Sequence, residues 1–337
     1  MDKILTITVP SYNVEKFLEQ TLDSFVDERI LDVLEVLIVD DGSKDKTAAI
    51  GKEYEQRYPQ CFRLISKENG GHGSTINRGI EEARGKYFKV VDGDDWVDTE
   101  GLVKLIKRLQ TCDADYVFTN YYEVNDTTGE RHIVEFPGIC KEKEVSFSEI
   151  AKETKISMHA LVIKTSILKE HKIRLDEHCF YVDVEYILYP VPYVETVIYY
   201  DIIVYMYRLA QITQSVSMQG YQKHIQNHID VIYHTIAYIN EYRKKESCEQ
   251  LKVDYMSNRI AEMIHTQVDI FTSYPAENKE IQEKFREFDG KIKSESSDIY
   301  HRAGEYSGML RMLRRTGFRF YSFIIKLSKV RNMEAEK

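Results

Sequence analysis

Over its first 120 residues the chain alternates between two kinds of segment, and this alternation limits the available folds most sharply. Apolar runs that read as buried strands ("ILTITV", 4–9; "LEVLIVD", 34–40; "CFRLIS", 61–66; "KYFKVVD", 86–92; "ADYVFTNY", 114–121) take turns with runs whose apolar residues recur at helical spacing ("VEKFLEQTLDSFV", 14–26; "KDKTAAIGKEYEQRY", 44–58; "STINRGIEEAR", 74–84; "EGLVKLIKRLQ", 100–110). Strands joined by helices of this length form βαβ units, because a parallel neighbour is reached only by a long crossover. The expectation is an α/β fold with a mainly parallel, Rossmann-like central sheet flanked by helices.

In such a sheet ligands bind beyond the carboxyl ends of the strands. The polar clusters of this chain fall at those ends: "VPSYN" (9–13), "VDDGS" (39–43), "KENGGHGS" (67–74) and "VDGDDW" (91–96). Asp40 and Asp41 suit a base N–H or ribose hydroxyls, and Gly42 suits a tight turn, with Ser43 or Asp45 as plain turn or capping residues. Gly70, Gly71, His72 and Gly73 open a helix, so bare backbone N–H groups there can meet phosphate. Asp92, Asp94 and Asp95, relieved only by Gly93, crowd three carboxylates into four residues. A hard divalent cation, Mn²⁺ or Mg²⁺, would neutralise that cluster using one or two carboxylates plus substrate phosphates. An acidic helix N-terminus explains Asp95 and Asp98 equally well, but not the whole cluster.

Beyond residue 120 the pattern changes. Residues 121–136 read as a hairpin around Asp126 to Gly129, residues 146–208 mix short helices and strands, and from Tyr221 onward the reading is helical. The expected division is an α/β domain over 1–220 and a helical region with a basic tail over 221–337. A net charge of -9 argues against nucleic acid as a partner. The five cysteines form no CxxC pair, which fits buried thiols in a reducing compartment. No run is apolar enough for a signal peptide or a membrane span, so a cytoplasmic protein is expected.

Taken together and in order, "VPSYN", "VDDGSKDKT", "NGGHGSTINRGI" and "VDGDDW" closely resemble the family 2 glycosyltransferases, over roughly residues 1–215. The resemblance implies a GT-A fold and an inverting enzyme that uses a nucleotide-sugar donor, most simply a UDP-sugar, and a hydroxyl of a glycan or lipid-linked acceptor. It implies a setting in bacterial surface polysaccharide or teichoic-acid-type assembly. By the same likeness Pro10, Tyr12 and Asp41 line the base and ribose pocket with Asp40 nearby, Gly71, Asn77 and Gly93 belong to the donor site, Asp92 faces ribose or sugar, and Asp94 holds the metal.

An inverting transfer needs a base opposite the leaving diphosphate. Relatives carry it in a Glu-Asp pair after an aromatic residue at a helix start. The matching stretch is "HCFYVDVEYIL" (178–188), with Val182 in place of the Glu and Asp183 at the base position; Glu185, two residues on, would face away. Where relatives have Ala-Arg-Asn, this chain has Thr75, Ile76 and Asn77, so a diphosphate-contacting Arg is missing. His72 is the first substitute for that charge, ahead of Lys67 and Arg78. "SMHALVIKTSIL" (157–168) resembles the segment laid over the sugar, which makes His159 a candidate, with a structural histidine as the equal alternative. "YRLAQITQSVS" (207–217) resembles a loop that closes over the diphosphate through Tyr207, Arg208 and Ser215, although Arg208 suits a structural ion pair equally.

Residues 307–331 carry seven Lys or Arg and no acidic residue among Met, Leu, Phe, Tyr and Ile. Such a segment suits an anionic membrane surface. The alternative is packing on the preceding helices or in a homodimer. Two other functions share features with this sequence. A sugar nucleotidyltransferase would carry a glycine-rich phosphate loop after the first strand, which "VPSYNVEKF" is not. A catalytically degenerate glycan-binding relative is hinted at by Val182 and Ile76 alone.

Overall fold

A computed structural model describes residues 2–152, 154–209 and 217–327. The chain divides into two compact units at Gln214/Ser215.

The first unit is built on a ten-stranded sheet. Its strands are β1 (Leu5–Ser11), β2 (Leu34–Asp40), β3 (Phe62–Ser66), β4 (Tyr87–Val90), β5 (Trp96–Val97), β6 (Tyr116–Asn125), β7 (Arg131–Val134), β8 (Glu144–Ser146), β9 (Leu161–Lys164) and β10 (Thr196–Leu209). The helices are α1 (Leu18–Asp23), α2 (Thr47–Arg57), α3 (His72–Glu82), α4 (Thr99–Leu109), α5 (Phe147–Ile150), α6 (Thr165–Glu170) and α7 (Asp183–Leu188).

The main path of the sheet runs β3-β2-β1-β4-β9-β6-β10-β5. β1 pairs in parallel with both β2 and β4, and β2 with β3, so the first four strands make the parallel half expected from the alternation. Every residue of β1 and of β2 is buried, as in strands covered on both faces. The register Ser11↔Asp40 puts the first two polar tips side by side.

The regular βαβ progression stops after β4. Its next neighbour is β9, a strand from more than 70 residues later that runs antiparallel to both β4 and β6. β6 and β10 are again parallel, with register shifts between Tyr200 and Tyr205. The expected hairpin is present: β6 and β7 pair Val124 with Arg131 across the turn.

The second unit is helical: α8 (Met218–Lys223), α9 (Ile225–Arg243), α10 (Gln250–Ser273), α11 (Lys279–Glu295), α12 (Ser297–Tyr306), α13 (Gly308–Arg315) and a last helical stretch over 321–327. Its core follows helical periodicity, with Ile229, Ile232, Ile236 and Ile239 on α9 and Met256, Ile260, Ile264 and Phe271 on α10 all buried. Phe271 stacks on Phe285 at 4.5 Å between ring centres, and Phe318 meets Phe285 edge-on at 5.2 Å. Among the described residues no helix is long and apolar enough to cross a membrane.

Candidate functional site

The tips of β1 and β2 are laced together by short polar side chains. Asp40 Oδ1 accepts the Ser43 N–H at 3.0 Å, which shapes the turn. The Ser43 hydroxyl accepts the Asn13 N–H, and Asn13 Oδ1 in turn accepts the Lys44 N–H. Ser43 therefore ties two loops together rather than capping α2. Pro10 contributes its carbonyl, which accepts the Gly93 N–H at 3.0 Å and holds the β4 tip against β1. A Cβ at Gly93 would stand 2.8 Å from that carbonyl, so the approach needs glycine. Tyr12, just past β1, leaves 51% of its surface exposed.

Asp41 is 2% exposed and fully occupied. Its carboxylate accepts from Lys67 Nζ at 2.6 Å, from Gly70 N at 2.9 Å and from Gly71 N at 2.8 Å. The carboxylate expected to line the base pocket clamps the glycine loop, taking two of the N–H groups expected to meet phosphate. Gly71 sits at φ +83, a conformation glycine adopts without strain, and precedes α3.

His72 is the first residue of α3, and its Nε2 lies 2.8 Å from Asp92 Oδ1. Burial disfavours the imidazolium, but the carboxylates of Asp92, Asp183 and Asp94 outweigh it and raise the His72 pKa above its usual value. The other two cations considered for the missing arginine are engaged elsewhere. Lys67 is bound to Asp41 and Ser74, and Arg78 reaches Glu82 at 2.6 Å on the outer face of α3. Asn77 also differs from expectation. Its amide donates to Leu175 O and Glu177 Oε1 and accepts from Leu175 N, so it fastens α3 to the 175–177 segment and is not turned to a donor.

At the β4 tip the three acidic residues separate into different jobs. Asp95 is buried and bound by Tyr205 OH at 2.6 Å and Arg208 N at 2.7 Å, which joins the tip to β10. Asp98 caps α4 through Gly101 N at 2.7 Å. Asp94 has no side-chain donor on its carboxylate among the described residues. Burial and the neighbouring Asp92 push its pKa up to about 6, against the pull of Arg208 and His72. A carboxylate crowded by another, with oxygens to offer, fits a hard divalent cation. His72 already engages one oxygen of Asp92, so Asp94 is the carboxylate that could offer both oxygens to a cation.

Asp183 is exposed at the first position of α7, as expected of the base position. The approach to it is strained, with His178 at φ +55 and Tyr181 at φ +67. Val182, where relatives have Glu, is fully buried, so apolar packing takes up that departure. Glu185 turns inward, accepting from Asp176 N at 2.8 Å and Tyr189 OH at 3.0 Å, and burial pushes its pKa up to about 8. A buried acid so held is no rival to Asp183.

Arg208 makes a structural ion pair, the alternative that its sequence position equally allows. Nε donates to Asp94 O at 2.6 Å, the terminal nitrogens bind Asp126 and Gln20, and the plane lies between Phe17 and Trp96. Its role in the site is to brace the backbone of Asp94. Ser215 lies outside the described residues. His159 stacks on Tyr207 with ring centres 3.9 Å apart and meets Tyr205 edge-on at 4.9 Å. Its Nδ1 is buried without a hydrogen-bond partner, and burial pushes its pKa down to about 4.

The sequence reading missed Lys89 and Tyr205. Lys89 is completely buried on β4, donates to the carbonyls of His159 at 2.7 Å and Leu161 at 3.2 Å, and lies over the Tyr205 ring. Tyr205 also accepts the Asp92 N–H through its hydroxyl at 3.2 Å. One signal was available: a lysine at an inward position of an otherwise apolar strand.

The chain is similar to known proteins in sequence and in fold. The chain is 36% identical over 123 residues to the uncharacterized glycosyltransferase EpsJ of Bacillus subtilis, covering 36% of this chain and 35% of EpsJ. It is 30% identical over 184 residues to the minor teichoic acid biosynthesis protein GgaB of the same organism, covering 52% of this chain and 19% of GgaB. The chain thus spans about a third or less of the length of these curated relatives. In structure it resembles residues 1–349 of S. aureus TarS, solved in complex with UDP-GlcNAc, with a TM-score of 0.68 over 97% of this chain and 91% of that one. At 17% identity this likeness establishes the GT-A fold. The sequence profile described as glycosyl transferase family 2 matches residues 6–172, from β1 through the Asp92–Asp94 tip to β9 and α6, and this part of the chain belongs to that family.

Proposed function

We propose that this chain transfers a sugar, with inversion, from a nucleoside diphosphate donor to a hydroxyl of a glycan or lipid-linked acceptor in cell-surface polymer synthesis inside a bacterium. The observation that carries this reading is the gathering of Asp92, Asp94, Asp183 and His72 beyond the carboxyl ends of parallel strands, where the three carboxylates together favour the His72 imidazolium. GgaB, named for teichoic acid biosynthesis, supports the class of product, and the UDP-GlcNAc complex of TarS is a ligand of the proposed class.

In this reading Tyr12 and Pro10 form the wall for the nucleotide base, with Asp40 and Asp41 shaping the loops around it. The His72 imidazolium supplies positive charge beside the diphosphate, in place of the missing arginine. Asp92 orients His72 and faces the sugar, and His159, neutral and held by Tyr207 and Lys89, offers a hydrogen bond from above. Asp94 would hold Mn²⁺ or Mg²⁺, which when bound supplies Lewis-acid neutralisation of charge on the leaving diphosphate. Asp183 accepts the proton of the acceptor hydroxyl as that oxygen attacks C1 and the diphosphate departs from the opposite face.

The test is hydrolysis of UDP-sugars with Mn²⁺ by wild type, Asp183→Asn and Asp94→Ala. The account expects turnover by wild type and loss in both variants. Nucleotide-sugar binding without any turnover in wild type would favour a degenerate binding relative.

A further inference from the structure

The basic tail of the second unit has two apolar faces. Its inner face is occupied: Leu310, Leu313, Phe318, Tyr321, Ile324 and Ile325 are buried, and the Tyr321 hydroxyl donates to Phe271 O at 3.3 Å. This is the packing alternative raised from the sequence. The outer face remains. Phe320 is 60% exposed, Phe323 67% and Leu327 47%. The Phe320 carbonyl accepts the Ile324 N–H at 2.9 Å, so the helical turn begins there, and spacings of three and four residues put all three side chains on one stripe.

The charges that the segment itself carries are of one sign. No Asp or Glu occurs anywhere in 307–327. Arg314 is committed to Asp289 at 2.7 Å and Lys326 to Glu277 at 2.5 Å. Arg311, Arg315 and Arg319 are exposed and make no ion pair among the described residues. In a chain of net charge -9, this segment therefore carries three exposed arginines with no ion pair among the described residues beside its exposed phenylalanines in sequence.

We infer that this face docks on an anionic lipid surface, with Phe320, Phe323 and Leu327 entering the headgroup–acyl boundary and Arg311, Arg315 and Arg319 meeting lipid phosphates. A second copy of the chain is the poorer occupant. A two-fold contact lays a patch on itself, and here it would bring arginines against arginines. Lipid phosphate complements both the charge and the apolar stripe. The inference does not depend on the glycosyl-transfer reading.

The experiment is co-sedimentation of the full chain with vesicles of phosphatidylcholine, alone or with roughly one third phosphatidylglycerol, at low and high salt. Binding is expected only to the anionic vesicles and is expected to weaken with salt. Arg315→Gln with Arg319→Gln should lower the partition coefficient about 25-fold, at about five-fold per arginine. Phe323→Ser should lower it by about ten-fold or more. UDP-sugar hydrolysis without vesicles should stay unchanged in these variants. Arg315 and Arg319 are both exposed, so the arginine pair remains informative even where the phenylalanine variant folds poorly. Absence of binding, equal binding to neutral vesicles, or a dimer in light scattering that Phe323→Ser dissolves would each overturn the inference.

Discussion

Two strand tips of the first unit carry adjacent acidic residues, and the structure treats them oppositely. At the β2 tip, Asp41 is enclosed by one lysine and two backbone N–H groups, so its charge is met by the protein itself. At the β4 tip, Asp92 has a single imidazole, and Asp94 carries a pKa raised to about 6. The acidic motif looks the same in sequence in both places. What differs is the supply of donors. On the proposed function, the tip whose donors suffice acts as scaffold, and the tip left short of positive charge would take the cation and the diphosphate.

The largest effect that tests this contrast is catalytic. Asp183→Asn should lower kcat for sugar transfer or donor hydrolysis by about 10³-fold with the melting temperature nearly unchanged, because a positioned general base contributes on the order of 10²–10⁴. A loss of activity explained by unfolding would break the contrast. Next comes the scaffold side. Asp41→Ala leaves a part-exposed Lys67 and two N–H groups without their carboxylate, and should cost about 1–3 kcal/mol in denaturant unfolding. A variant of normal stability that merely bound donor less well would return Asp41 to the nucleotide pocket.

A smaller effect is pH-dependent. Burial disfavours charged His72, but Asp92, Asp183 and Asp94 prevail and raise its folded pKa. Its contribution to stability is therefore full below the unfolded value of about 6.5 and fades as pH rises through the raised folded value. In metal-free protein, His72→Gln should remove that component from the stability–pH curve. A curve identical to wild type would detach His72 from the acidic tip. The smallest effect is at Asp98, outside the contrast altogether. Asp98→Ala should cost about 1 kcal/mol, as loss of a helix cap does, with kcat unchanged.

Much of this was legible in the sequence where the causes are local. The strands and helices of the parallel half follow from periodicity, and their tips follow from the rule that polar residues end buried strands. The insertion of β9 between β4 and β6 was not legible, since no local pattern says which distant strand pairs with which. The fate of Asn77 and the particular partners of Arg208 were not legible for the same reason: Asn77 is fastened to a segment 98 residues away, and Arg208 braces Asp94 across 114 residues. Lys89 stood in plain view as a charge in an apolar strand, but its carbonyl partners at His159 and Leu161 are reached only through the fold.

The most direct test of the central claim is Mn²⁺-dependent binding of a UDP-sugar by calorimetry, wild type against Asp94→Ala. The account predicts that wild type binds donor more tightly with Mn²⁺, that the variant loses this dependence, and that its melting temperature is unchanged or higher once the crowded carboxylate is gone. Metal-dependent donor binding preserved in Asp94→Ala would contradict it.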